Sequence, residues 1–378
     1  MTERIQRLTN RMQATGVDGL AVVPGPNMIY LTGMHFHLSE RPVIAFFPAT
    51  DHPVLLAPGF EAIKIEHAPR PMDWRIFTYS DEDGPDAACA QACAALGLAG
   101  KKLAVEQLTM RVLELTMAQR DAPGVQIVPA EPLLAELRMR KDADELAHMR
   151  RAAQVAEEAL ARTLEAIRPG MTEREIAAEL QIHLMRGGSG VLPFEPLVQS
   201  GPNSASPHGA TTDRRLQPGD ILLIDFGARV GGYASDITRT FIVGEPDPEL
   251  HKVHQIVQAA NAAGRAAAGP GVPCQEVDRV ARQVIKEAGY GDYFIHRTGH
   301  GLGLEGHEPP YIVEGNAQRL EVGMTFTVEP GIYLPGKGGV RVEDDVVITK
   351  DGCDSLTTFE RGLEVIETKD ERRRTKDE

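Results

Sequence analysis

The sequence predicts an α+β protein: a smaller α/β domain over residues 1–135, then a larger domain over 140–365 with helices on one face of a curved antiparallel sheet. Two observations predict it. In the first third, short apolar strand-like runs alternate with helix-like segments. From about residue 140, helices come in two pairs, and strands lie between and after the pairs. The two similar halves also suggest an internal pseudo-repeat. A charged tail, 366–378, follows. At roughly 150 residues per domain, 378 residues suit two or three domains.

The elements follow in order. Residues 5–15 read as a helix ended by Gly16, and 19–23, 42–47 and 52–57 as buried strands. Residues 86–98 form an Ala-rich helix with Gly100 as its stop. Strands at 102–106 and 125–129 flank a helix near 111–119. Asp142 stands three residues before Glu145, a capping-box pattern opening a long helix that Arg168-Pro169-Gly170 stops. Thr172 and Glu175 repeat that pattern for a helix ending at Arg186. Residues 249–268 and 275–288 form the second pair. Strands are expected at 221–226, 237–243, 325–329 and 340–348.

The 54 acidic and 40 basic residues leave a formal charge of −14. That balance argues against nucleic-acid or membrane partners, both of which need a basic face. The first residues, MTERIQRLTNRM, contain no apolar run of the kind a secretory signal needs. No stretch reaches the ~18 apolar residues of a membrane span. Cys89, Cys93, Cys274 and Cys353 lack metal-site spacing and read as reduced thiols of a cytoplasmic protein.

Acids stand where apolar strands should continue. Asp225 ends Leu-Leu-Ile-Asp, and Asp236 opens the next strand eleven residues on. Gly231-Gly232 between them signals a hairpin that brings the two together. Glu329 ends Thr-Phe-Thr-Val-Glu, and Glu343 interrupts Val-Arg-Val-Glu. His300 lies in Thr-Gly-His-Gly. Any one of these acids alone reads as a salt-bridge or cap partner. Four buried carboxylates together repel unless cations neutralise them. Four carboxylates and one imidazole suit a bridged pair of hard divalent ions, Mn²⁺ first, with Co²⁺ or Zn²⁺ possible. Gly301 to Gly306 matches GxGxxG, but His-Glu-Pro-Pro after it does not open the helix a dinucleotide site requires.

The strings IDFGARVGGYASDITRTF, HRTGHGLGLEGHE, TVEPGIY and GVRVEDDVVIT resemble the pita-bread metallopeptidases. That family includes methionine aminopeptidase, aminopeptidase P and prolidase. Residues before about 135 resemble the N-terminal domain of its proline-specific branch, which methionine aminopeptidases generally lack. The resemblance implies two metal ions per subunit. Asp225 would hold one ion, Asp236 and Glu343 would bridge both, and His300 and Glu329 would hold the other. It implies catalytic roles for His208, His307 and Glu329, the last as proton shuttle. It also implies a proline pocket lined by His296, Tyr333 and Arg341, and a homodimer.

The expected activity is hydrolysis of the bond before proline in Xaa-Pro dipeptides. The alternative is an aminopeptidase P acting on longer Xaa-Pro peptides; less favoured is a non-peptidase hydrolase or lyase on the same fold. A dipeptidase must hold a free amine and a free carboxylate. The loop carrying Glu40 and Arg41 is expected to reach an active site, its own or a partner subunit's, and help close it.

Overall fold

The structure is a computed structural model and describes residues 3–68, 73–245 and 247–366. The chain forms two compact units that divide between Arg138 and Met139. All of the expected tail except Ile366 lies outside the described residues; Ile366 pairs with Val243 in a strand.

The first unit is built on a six-stranded mixed sheet. Its spatial order is Arg75–Tyr79, Val54–Pro58, Ile44–Pro48, Gly19–Val22, Lys102–Val105, Gln126–Pro129. Gly19–Val22, buried throughout, pairs antiparallel with Ile44–Pro48 and parallel with Lys102–Val105. Helix Asp86–Leu96 turns Ala88, Cys89, Ala92 and Cys93 toward the sheet, one face of a 3.6-residue period. The four cysteines are free thiols. This helix stops at Gly97, not Gly100: Gly97 takes the left-handed conformation (φ 59°) and its N–H bonds back to Ala94. Several elements were not foreseen, the short turn and helix Gly59–Glu61 and Ala62–Glu66 among them. Pro26–Thr32 and Glu131–Arg138 are too short to show a period, and Arg75–Tyr79 is a half-exposed edge strand. Arg41 is half-buried and bonds Asp81 at 2.7 and 2.9 Å, with Glu40 beside it.

In the second unit both capping boxes form as expected. Asp142 accepts from the Glu145 N–H at 2.9 Å and opens helix Ala143–Ala166. Thr172 does the same for Glu173–Arg186 at 3.1 Å. This pair packs Leu160, Ile176, Leu180 and Leu184 against Leu222, Ile224 and Phe241 of a four-stranded sheet. The second pair, Pro248–Ala267 and Cys274–Glu287, packs against residues of the Gly331–Leu334 and Gly338–Arg341 hairpin and of a five-stranded antiparallel sheet.

Ile221–Phe226 and Ile237–Val243 pair antiparallel, placing Thr238 opposite Asp225. A small hairpin, Arg229–Val230 with Tyr233–Ala234, joins them. It turns on Gly231 (φ 57°) and Gly232 (φ 89°), the twin positive angles that a tight two-residue turn needs. The single strand expected over 340–348 is two. Gly338–Arg341 pairs with Gly331–Leu334, and Asp344–Ile348 pairs with Thr325–Val328. The apolar pattern runs through the break because both halves are buried. Val342 and Glu343 carry the chain from one sheet to the other.

His254 is buried on helix Pro248–Ala267 beside Leu250, Val253 and Val257. Burial first, then His251 and Arg239, lower its pKa to about 4. The unfolded chain therefore binds a proton near pH 6.5 that the folded chain refuses. Stability from this residue is full above pH 6.5 and falls as the pH drops toward 4, by about 3 kcal/mol in all. Urea unfolding at pH 7 and pH 5 should show a smaller loss in His254→Met than in the parent. An equal loss in both proteins contradicts this.

Candidate metal centre

Four local features bring the acids together. Asp225 is the fifth residue of Ile221–Phe226, and Asp236 immediately precedes its partner strand. Glu329 follows the end of Thr325–Val328, and Glu343 sits at the strand switch. His300 lies in the short strand Gly299–Gly301, whose register slips between His300 and Gly301. Such a bulge re-aims a side chain. The flanking glycines are required by close strand approach. A Cβ on Gly299 would fall 1.8 Å from the Thr327 carbonyl, and one on Gly301 2.4 Å from the Pro309 carbonyl.

The ligating atoms fall into overlapping groups, each within 4.8 Å: Asp225, Asp236 and Glu343; His300, Glu329 and Glu343; and Asp236, His300 and His307. Glu343 belongs to the first two. Asp225 Oδ1 and Asp236 Oδ1 are buried without a hydrogen-bond partner, which is costly for a carboxylate oxygen.

The histidine geometry carries the strongest signal. His300 Nδ1 lies 3.1 Å from the Gly301 carbonyl, so that nitrogen carries the proton. Burial, then His307, push its pKa well down, which keeps the ring neutral. The Nε2 lone pair then faces Glu329 Oε1 at 3.2 Å and Asp236 Oδ2 at 3.7 Å. A lone pair pointed at carboxylate oxygens is repulsive; a cation between them makes every partner attractive. A ring N–H held by a carbonyl is also the usual support of a metal-binding histidine. The donor set therefore fits divalent metal.

Proton affinities agree. Burial, then Glu343 and Asp225, push Asp236 well above the usual carboxylate range. Burial, then Glu329 and Asp225, do the same to Glu343. Burial raises Glu329 to about 7. These are the marks of clustered negative charge short of positive charge. Arg341, 3% exposed, supplies one charge through its ion pair with Asp225.

The ten residues singled out from the sequence come together. His208, Asp225, Asp236, His296, His300, His307, Glu329, Arg341 and Glu343 line one cavity of about 710 Å³. Tyr333 joins them by accepting from Arg341 Nη1 at 2.8 Å and meeting His296 Nε2 at 2.8 Å. His296 Nδ1 donates to the Arg297 carbonyl at 2.8 Å, so Nε2 accepts from the tyrosine hydroxyl. Burial, then Arg341, lower the His296 pKa to about 4, consistent with that neutral form. His208 and His307 keep exposed edges toward the cavity.

Several supporting residues were not foreseen. Thr238 donates to Glu343 and accepts from Arg341 Nε at 3.1 Å. Asp345 accepts the Asp236 N–H at 2.8 Å. Thr327 donates to Glu329 Oε1 at 3.0 Å. Glu195 and Arg297 also line the cavity. A signal existed for Thr238, two residues from Asp236 and so on the same strand face. Asp345 sat in plain view in the Glu-Asp-Asp run, where only Glu343 drew notice.

Known proteins place this geometry. The creatinase/prolidase N-terminal domain matches residues 4–140, and metallopeptidase family M24 matches residues 147–350. An Xaa-Pro dipeptidase from Lactobacillus delbrueckii subsp. lactis is 35% identical over 370 residues, covering 97% of this chain and 100% of that one. A dipeptidase structure from Pyrococcus horikoshii OT3 aligns at TM-score 0.91 and 38% identity, covering 96% of this chain and 99% of that one. A recombinant prolidase from Thermococcus sibiricus aligns at TM-score 0.91 and 37% identity, covering 96% and 98%. The chain thus belongs to metallopeptidase family M24, with the pita-bread fold behind a creatinase/prolidase N-terminal domain.

Proposed function

We propose that the protein is a metal-dependent dipeptidase that hydrolyses the bond before proline in Xaa-Pro dipeptides. The observation that carries this reading is the pair of donor groups sharing Glu343, set beside the His296–Tyr333–Arg341 cluster in one cavity. Relatives named Xaa-Pro dipeptidase and prolidase support the proline preference.

Asp225, Asp236 and Glu343 would hold one divalent ion, and His300, Glu329 and Glu343 the other, with Asp236 reaching both. Hard oxygen donors favour Mn²⁺ over thiophilic metals. When bound, such ions supply a nucleophilic water near neutral pH and polarise the scissile carbonyl. The chain's own side chains do the rest. Glu329 Oε2 takes the proton that the nucleophile loses and passes it to the leaving proline nitrogen. His307 and His208, at the cavity edge, hold the scissile carbonyl and orient the peptide. His296 faces the proline from the cavity wall, held there by the Tyr333 hydroxyl, which Arg341 fixes in turn. We further propose a cytoplasmic homodimer; no helix among the described residues is long and apolar enough to cross a membrane.

EDTA-treated protein reloaded with Mn²⁺, Co²⁺ or Zn²⁺ should release proline from Leu-Pro. Leu-Pro-Gly should be cut at least about tenfold less efficiently, since one tenfold step needs only ~1.4 kcal/mol of discrimination. Asp236→Asn should lower kcat/KM by at least about a hundredfold, more than loss of a supporting residue costs. Release of no proline with any metal overturns the reading. Faster cleavage of Leu-Pro-Gly replaces it with aminopeptidase P.

Charge repulsion makes a second, opposite-signed prediction for the same variant. Without metal, Asp236→Asn removes one of four crowded carboxylates. It should be at least as stable as the parent, by up to about 1–3 kcal/mol. With Mn²⁺ it should gain less melting temperature than the parent. Thermal unfolding with and without Mn²⁺ checks both. A destabilised variant in EDTA contradicts the repulsion.

A further inference from the structure

Arg297 is the cavity's uncommitted cation. The other arginine there, Arg341, is spent: it pairs with Asp225 and bonds Tyr333 and Thr238. Arg297 lines the same cavity and is half-buried, yet no carboxylate among the described residues pairs with it. Its contacts are neutral. Nη2 lies 3.4 Å from His307 Nδ1, and the guanidinium sits 4.6 Å from the centre of the Tyr311 ring. A guanidinium facing a cavity with only neutral neighbours is arranged to meet an anion.

We propose that Arg297 binds the free carboxylate of a dipeptide substrate and so sets the preference for dipeptides over longer peptides. This rests on the dipeptidase reading above. Position supports it. In an Xaa-Pro dipeptide the carboxylate carbon is three bonds from the scissile carbonyl carbon, so its partner must stand about one side chain away from the reacting centre. One ring separates Arg297 from that centre: His307 packs at a tilt against His300 with centroids 3.8 Å apart, and its donor atom lies within 4.8 Å of those of Asp236 and His300.

Rigidity supports it too. The backbone on either side of Arg297 is pinned. Arg282 Nη2 donates to the His296 carbonyl at 2.8 Å, and Thr298 donates its N–H and hydroxyl to Asp278 Oδ1 at 3.1 and 2.7 Å. His296 Nδ1 holds the Arg297 carbonyl itself. The Tyr311 ring, 4.6 Å from the guanidinium carbon, restrains the head group, whose fork of N–H donors suits a two-point contact with a carboxylate. A substrate extended past proline has an amide there, with one acceptor oxygen in place of two and no charge.

The test uses Mn²⁺-loaded full-length protein with Leu-Pro and Leu-Pro-amide, which differ only in that terminal charge. In Arg297→Met, the ratio of kcat/KM for Leu-Pro to that for Leu-Pro-amide should fall about tenfold to a hundredfold, the range for a lost charge-assisted contact. The change should fall mainly in KM. Arg297→Lys, which keeps the charge without the fork, should restore part of the ratio. Arg297→Gln should match Arg297→Met and gives a second variant if one folds poorly. An unchanged ratio in Arg297→Met and Arg297→Gln, whether both rates fall or neither does, overturns the assignment while leaving the dipeptidase reading intact. Parent protein that cleaves neither substrate overturns both.

Discussion

Four carboxylates crowded into one buried cavity cannot all remain ionised without positive charge among them. The second unit is organised around that constraint. Antiparallel register puts Asp225 opposite Thr238 and sets Asp236 at the head of the next strand. A bulge re-aims His300. The chain changes sheets at Glu343, which frees that side chain to reach both donor groups. The bulge and the strand switch each coincide with a residue of the candidate metal centre, and the helix pairs behind the sheets supply the apolar burial that holds them in place.

Arg341 links this acidic set to the Tyr333–His296 pair. Its guanidinium pairs with Asp225, bonds Thr238, and donates to the Tyr333 hydroxyl, which in turn fixes His296. One fully committed cation thus positions a cavity carboxylate and two rings together. A second buried network stands behind it. Arg239 and Arg361 hold Asp344 at 2.9 and 2.8 Å, next to Glu343 in sequence. Arg239 also reaches the carbonyls of Phe359 and Glu360. The acids that face the cavity are short of positive charge, while the acid one residue away is fully paired.

Much of this was legible in the sequence because it breaks local rules. Asp225, Asp236, Glu329 and Glu343 interrupt apolar runs, and the capping boxes at Asp142 and Thr172 announce their helices. The strand switch at Glu343 was not legible: both sides of the break are buried, so the apolar pattern never lapses. The stop at Gly97 was misplaced by three residues, since Gly97 and Gly100 both satisfy the composition rule and only backbone geometry separates them. Thr238 and Thr327 escaped notice because a threonine in a strand is ordinary; only their hydrogen bonds to Glu343 and Glu329 give them a role. Arg297 had no sequence signal, since an arginine in a glycine-rich stretch is ordinary; only its place in the cavity, without a carboxylate partner among the described residues, sets it apart.

The most direct test of the shared donor set is a count of ions. Calorimetric titration of EDTA-treated protein with Mn²⁺ should show two ions per chain, and Glu343→Gln should weaken both binding events, because Glu343 serves both groups. Binding of two ions that Glu343→Gln leaves unchanged, or no binding by the parent chain, would contradict the account.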